Sequence, residues 1–181
     1  VGCSRQHLRR LMIRHVGASP TQIARYRQAH FARQLINETS LDVHTVARAV
    51  GLTDQHQLDQ LTINTWGQPI SDLRAGRASL TPTGSIELLV RYIRPYSFRQ
   101  LLRHLTPRAT PGIEEVTDGS YRRITNQGGN ARILEVRDAH DGQHLRVKVH
   151  STSYDDLIDD MERLRTLFAI DEDPAPAVTH L

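Results

Sequence analysis

The sequence predicts a multi-domain chain in which an all-α double helix-turn-helix, partly truncated, precedes an α+β domain whose antiparallel sheet carries two helices on one face. Two observations predict it. Apolar residues recur at helical spacing as far as Trp66 and switch to alternation from Ile86 onward. Between these stretches, residues 75–85 collect Gly76, Pro82, Gly84 and several Ser and Thr residues, the composition of a linker. The expected division is therefore 1–74, a linker at 75–85, and 86–181.

The first helix is read from Leu8, Leu11, Met12 and Val16, which share one helical face while Arg5, Gln6, Arg9 and Arg10 gather elsewhere. It should be buried on one side and basic on another. Gly17 suits its C-cap, and Ser19-Pro20 supplies an N-cap and first-turn proline to a second helix of about 17 residues. Ala24, Phe31 and Leu35 are the expected inner strip of that helix, which should end at Ile36. After a loop from Asn37 to Leu41, Val43, Val46, Ala47 and Val50 form a short helix that Gly51 stops. Asp54 then caps another helix, carrying Leu58 and Leu61 inward and ending at Trp66, which reads as a core anchor. Helix, glycine turn, helix is helix-turn-helix spacing.

In the second domain Ile86, Leu88, Val90 and Tyr92 alternate as in a strand, and Ser97 opens a helix through Phe98, Leu101, Leu102 and Leu105. Residues 113–125, 132–138 and 144–150 read as extended, with Gly128-Gly129 and Asp141-Gly142 as hairpin turns, the latter a two-residue type I′ signal. Ser153 is the expected cap of a last helix. Its stripe of Tyr154, Leu157, Ile158, Met161, Leu164 and Phe168 should pack on the sheet, opposite a solvated face of Asp155, Asp159, Asp160 and Glu162.

Charge is distributed unevenly. Residues 1–37 hold Arg5, Arg9, Arg10, Arg14, Arg25, Arg27 and Arg33 and no acid, whereas residues 38–74 hold five acids against Arg48 and Arg74. Such a basic field attracts polyanions, and neutralising phosphates releases condensed counterions, so double-stranded DNA is the expected partner. If the first helix enters a major groove, Gln6, Arg9 and Arg10 lie where base edges are reached, with Arg5 and Arg14 on phosphates. Gln55, His56 and Gln57 hold the equivalent positions of the second unit, which has no cation between Arg48 and Arg74 and should add little affinity.

Other function classes are poorly supported. No apolar run approaches the roughly 20 residues of a membrane helix. Cys3 has no intramolecular partner for a disulfide, which fits a reducing, cytoplasmic and nucleoid-associated setting. His140 and His144 are four apart, but the turn between them breaks helical metal geometry, and no catalytic constellation is visible, so neither a metal nor another cofactor is expected. The outer sheet face, with Arg146, Lys148 and His150, offers a further reading as a docking surface for another protein or domain.

The residues also carry a resemblance. Residues 1–12, Gly17-Ala18-Ser19-Pro20, Ala32-Arg33-Gln34-Leu35-Ile36, Val46-Ala47 and Gly51-Leu52 resemble the AraC-type regulator module. That resemblance implies that Gln6, Arg9 and Arg10 match base-reading positions and that the chain begins just before the first recognition helix. Gln60, Thr62 and Pro69-Ile70 depart from the pattern in the second unit.

Tyr92, Arg94-Pro95-Tyr96, Leu101-Leu102, Arg108-Ala109, Gly112-Ile113-Glu114 and Tyr121-Arg122-Arg123 look like the N-terminal domain of AlkA-type 3-methyladenine DNA glycosylases. Together the halves are similar to Ada-AlkA fusions of the bacterial alkylation response. This implies a methyl-accepting domain before the segment and a glycosylase domain after it, with the catalytic Asp beyond residue 181. RNA polymerase and that glycosylase domain are the further partners the resemblance implies. Two functions follow as expectations: sequence-specific regulation of the adaptive response, or a repair hydrolase that the helix-turn-helix merely localises on DNA.

Overall fold

The computed structural model describes residues 4–73, 84–127 and 129–173. Cys3, Arg74, linker positions 75–83, Gly128 and the terminal Thr179-His180-Leu181 lie outside the described residues.

The first part is helical, with α1 (Arg5–Val16), α2 (Pro20–Glu38), α3 (Val43–Ala49), α4 (Gln55–Trp66) and the single turn α5 (Ile70–Leu73). Its helix ends follow from side chains that satisfy orphan N–H groups. The Ser4 hydroxyl accepts from the His7 N–H, and Ser19 and Gln22 form a reciprocal capping box. Asp42 accepts from Thr45, and Asp54 from Gln57. Gly51, with φ +78°, makes the turn between α3 and α4 in the left-handed region that a residue with a Cβ rarely adopts.

Ala29, Ala32, Leu35 and Ile36 of α2 are buried together with Val46, Ala47 and Ala49 of α3 and Leu58 and Leu61 of α4. The inner strip of α2 is therefore displaced toward its C-terminus: Leu35 is buried, Phe31 half-buried and Ala24 exposed. The helix also runs two residues past Ile36. The departure is larger in α1, where no residue is buried and Leu8, Leu11 and Val16 are 46%, 37% and 61% exposed. The amphipathic spacing is present, but no described element packs lengthwise against that stripe.

The second part runs β1 (Ser85–Arg91), α6 (Phe98–Leu105), a 3-10 turn (Thr106–Arg108), β2 (Glu114–Val116), β3 (Ser120–Gln127), β4 (Asn130–Asp138), β5 (His144–His150) and α7 (Leu157–Leu167). The strands form one antiparallel sheet in the order β1-β5-β4-β3-β2. Gln127 pairs with Asn130, so the β3–β4 hairpin closes where the glycine pair predicts.

The β4–β5 connection is not a two-residue turn. Asp138 pairs with Leu145, and the Asp141 carboxylate accepts from the Gln143 and His144 N–H groups, which draws out a wider loop.

Alternation puts Ile86, Leu88, Val90, Leu134, Val136, Leu145, Val147 and Val149 on one buried face. Phe98 and Leu102 of α6 and Leu157, Met161, Leu164 and Phe168 close the core with them. The Phe168 ring stacks on Phe98 at 5.9 Å between centroids and meets the Tyr121 ring edge-on at 5.3 Å.

Two expectations for α7 are corrected. The helix begins at Leu157 rather than after Ser153, because Arg132 binds the Ser153 and Asp155 carbonyls and holds residues 153–156 in a turn. The acidic face is not simply solvated either. Asp160 sits on the inner stripe, fully buried, with its Oδ2 2.7 Å from the equally buried Arg132 guanidinium and also accepting from the Thr125 hydroxyl.

The two parts are joined by more than the chain. On the free edge of β1, the Leu89 N–H donates to the Glu38 carboxylate (2.9 Å) and the Leu89 carbonyl accepts from the Gln34 amide (2.8 Å). Helix α2 thereby satisfies an edge strand that would otherwise be open to pairing. Arg27 pairs with Glu162 at 2.7 Å, Arg48 pairs with Asp155, and the Asp156 N–H donates to the Arg48 carbonyl.

Candidate nucleic-acid interface

Helix α1 presents the densest cluster of unneutralised cations in the helical part. Ser4 starts the helix and Gly17 ends it, which projects Arg5, Gln6, Arg9, Arg10 and Arg14 from three consecutive turns. All five side chains are exposed. Among the described residues no carboxylate lies within ion-pair distance of these four arginines, and Arg10 approaches the His7 ring at 3.4 Å. A face of free guanidinium groups with a glutamine among them can hold phosphates and bond bidentately to base edges.

The second unit places Gln55, His56 and Gln57 at the exposed N-terminal turn of α4. Two of them are already engaged locally. Gln57 donates from its amide to the Thr53 hydroxyl (2.7 Å), and Gln55 lies 3.4 Å from Asp59. The His56 ring is the side chain of the three that makes no hydrogen bond among the described residues. The Asp54 carboxyl is held below its ordinary value, chiefly by the hydrogen bond from the Gln57 backbone, so a negative charge sits at this helix start. That charge suits the helix dipole and disfavours a phosphate at the same point.

Arg33 serves packing instead. Arg33 lies over the Trp66 ring at 5.4 Å while His30 meets the ring edge-on, so half-buried Trp66 anchors the end of α4 against α2. Sequence reasoning missed Arg27 and Arg48 as partners of the second part, and Gln34 and Glu38 as caps of β1. Their residue types carry no local signal of a contact made tens of residues away.

The outer sheet face is a shallow basin floored by Ile113, Ile124 and Ile133. Ion pairs cover most of the remainder: Glu135 lies between Arg122 (3.2 Å) and Arg137 (2.5 Å), Glu115 reaches Arg122, Glu114 reaches Arg123, and Glu87 reaches Arg146. Burial opposes ionisation of Glu135, but the hydrogen bond from Arg137 and the neighbouring positive charges outweigh it and hold its carboxyl low. These pairs occupy four arginines of the face, while Lys148 and His150, which line the same basin, carry no ion pair among the described residues.

His144 bonds Asp141 at 2.6 Å, and among the described residues no group of three or more His, Cys, Asp or Glu side chains is disposed to hold a metal ion. No described helix is long and apolar enough to cross a membrane.

Comparison with known proteins places these parts. Residues 86–181 match the family described as the AlkA N-terminal domain, and residues 1–76 match a helix-turn-helix domain family. Two curated relatives, from Mycobacterium tuberculosis strains CDC 1551 / Oshkosh and ATCC 25618 / H37Rv, are each 32% identical over 187 aligned residues. Both are named "Probable bifunctional transcriptional activator/DNA repair enzyme AlkA". The match covers 100% of this chain and 37% of each relative's length.

Proposed function

The chain belongs to the AlkA N-terminal domain family and carries a helix-turn-helix match ahead of that domain, and from this premise we propose that it binds DNA sequence-specifically as part of a regulator of the alkylation-damage response. The observation that carries the reading is α1, whose Arg5, Arg9, Arg10 and Arg14 face solvent with no carboxylate beside them among the described residues. Gln6, Arg9 and Arg10 read bases; Arg5 and Arg14 hold phosphates; Gln55, His56 and Gln57 form a weaker second contact. The units divide at 75–85, and the setting is cytoplasmic and nucleoid-associated. RNA polymerase and a downstream glycosylase domain are the further partners.

A salt titration of duplex binding tests this. Log affinity should fall linearly with log salt, and Arg9→Ala and Arg10→Ala should each flatten the slope by about 0.9 where a phosphate contact is lost. Where a bidentate guanine contact is lost, discrimination should drop by about 1–3 kcal/mol. Affinity indifferent to salt, or to both substitutions, rejects α1 as the reader.

A second reading follows from the family match to more than half of the chain: the segment is the non-catalytic opening of a repair hydrolase, localised on DNA by its helices. The discriminating measurement is release of 3-methyladenine from alkylated DNA by the full reading frame. Release that survives loss of residues 1–74 favours this reading.

A further inference from the structure

The helical unit's ion pairs single out two of its arginines. Among the described residues its pairs with carboxylates are Arg27–Glu162 and Arg48–Asp155, and both acids belong to the α+β unit. Neither pair is deep: the Arg27 and Arg48 side chains remain 53% and 50% exposed. A phosphate oxygen offers a guanidinium the same charge-assisted bonds as a carboxylate, so an exposed pair is open to exchange.

The acids are held in place rather than encountered by chance. Arg132 grips the Ser153 and Asp155 carbonyls, and the Asp156 N–H donates to the Arg48 carbonyl at 2.9 Å, so Asp155 is presented from a fixed turn. Glu162 projects from α7, where it lines a cleft with Ile23, Ala24, Arg27 and Asp159. A third carboxylate, Asp159, therefore stands beside the same arginine-bearing helix.

We propose that Asp155 and Glu162 are affinity-setting residues for DNA: they occupy Arg48 and Arg27 in place of phosphates and hold down sequence-independent binding. The proposal rests on the DNA-binding reading. A guanidinium already neutralised by a fixed carboxylate releases no counterion when DNA arrives, and the carboxylate repels the backbone. Each phosphate contact contributes about 0.9 to the salt slope, so withholding two removes up to about 1.8. Lower non-specific affinity leaves the base-reading contacts of α1 a larger share of the total.

The test uses the full chain and a mixed-sequence 20-base-pair duplex, followed by fluorescence anisotropy from 50 to 200 mM salt. Asp155→Asn with Glu162→Gln should tighten binding at 50 mM several-fold and steepen the slope by about 1–2. Glu162→Gln alone, at an exposed pair, should give about half of the change. Arg27→Gln should cancel the gain in the Glu162→Gln background. An unaltered slope, or weaker binding by folded variants with an unchanged melting temperature, overturns the proposal while the chain's own salt dependence still supports DNA binding. A chain with no salt-dependent binding overturns both.

Discussion

The Arg132 guanidinium and the Asp160 carboxylate, 2.7 Å apart and both inaccessible to water, join β4 to α7. Removing one partner leaves the other as an uncompensated buried charge, which is far more costly than removing both. Arg132→Met should therefore destabilise the fold by about 3–5 kcal/mol in urea unfolding. Adding Asp160→Leu should recover much of that loss, and a double variant no more stable than the single one would show that the pair is not the cause.

Ser19 and Gln22 form the capping box of α2, and Ser19 is buried. Ser19→Ala should cost about 1 kcal/mol, read as a lower urea midpoint with an unchanged m-value. A changed m-value would point instead to altered compactness of one of the states.

The Leu89 N–H is held by Glu38 on an edge strand rather than by another strand. Glu38→Ala should speed hydrogen exchange at that amide while leaving Val147, in the middle of the sheet, protected. Equal protection in both proteins would mean that the amide is shielded by something other than the carboxylate.

Asp141 is held at about 2 against an ordinary 3.8, first by the hydrogen bond from the Gln143 backbone and then by the His144 ring. A depressed folded value means that the loop's contribution is complete above pH 3.8 and is lost as pH falls toward 2. A carboxyl-detected NMR titration should find Asp141 half-protonated near pH 2, and a midpoint close to 3.8 would mean that the loop bonds do not form in solution.

Helix ends were the most legible feature of the sequence because a cap is a local event. Ser19, Asp54 and Ser97, the expected starts of α2, α4 and α6, each bond a backbone N–H three residues on, and nothing distant is needed to see it, whereas the expected cap at Ser153 depended on the distant Arg132. Strand alternation was legible for the same reason. Burial was harder to read, because a stripe reports only the side that wants covering. The stripe of α1 found no partner among the described residues, and that of α2 was covered where α3 and α4 approach it.

Asp160 shows what a hydrophobicity pattern hides. It stands three residues after Leu157 and four before Leu164, squarely on the inner stripe, and Arg132 shares the inward parity of Leu134 and Val136. Two charges at core positions of separate elements were a readable sign of a buried pair, obscured because Asp160 also suits the polar face of its helix. At the candidate interface, the exposure of Arg9 and Arg10 could be foreseen from composition. The engagement of Arg27 and Arg48 by a distant helix could not.

The bonds from Gln34 and Glu38 to Leu89 bear on how the protein comes apart. Unfolding of either element breaks both bonds, which couples α2 to the edge strand by about 1–3 kcal/mol. Calorimetry should accordingly record a single endotherm across both sequence families, so the seam between two ancestries is not a seam in thermal cooperativity.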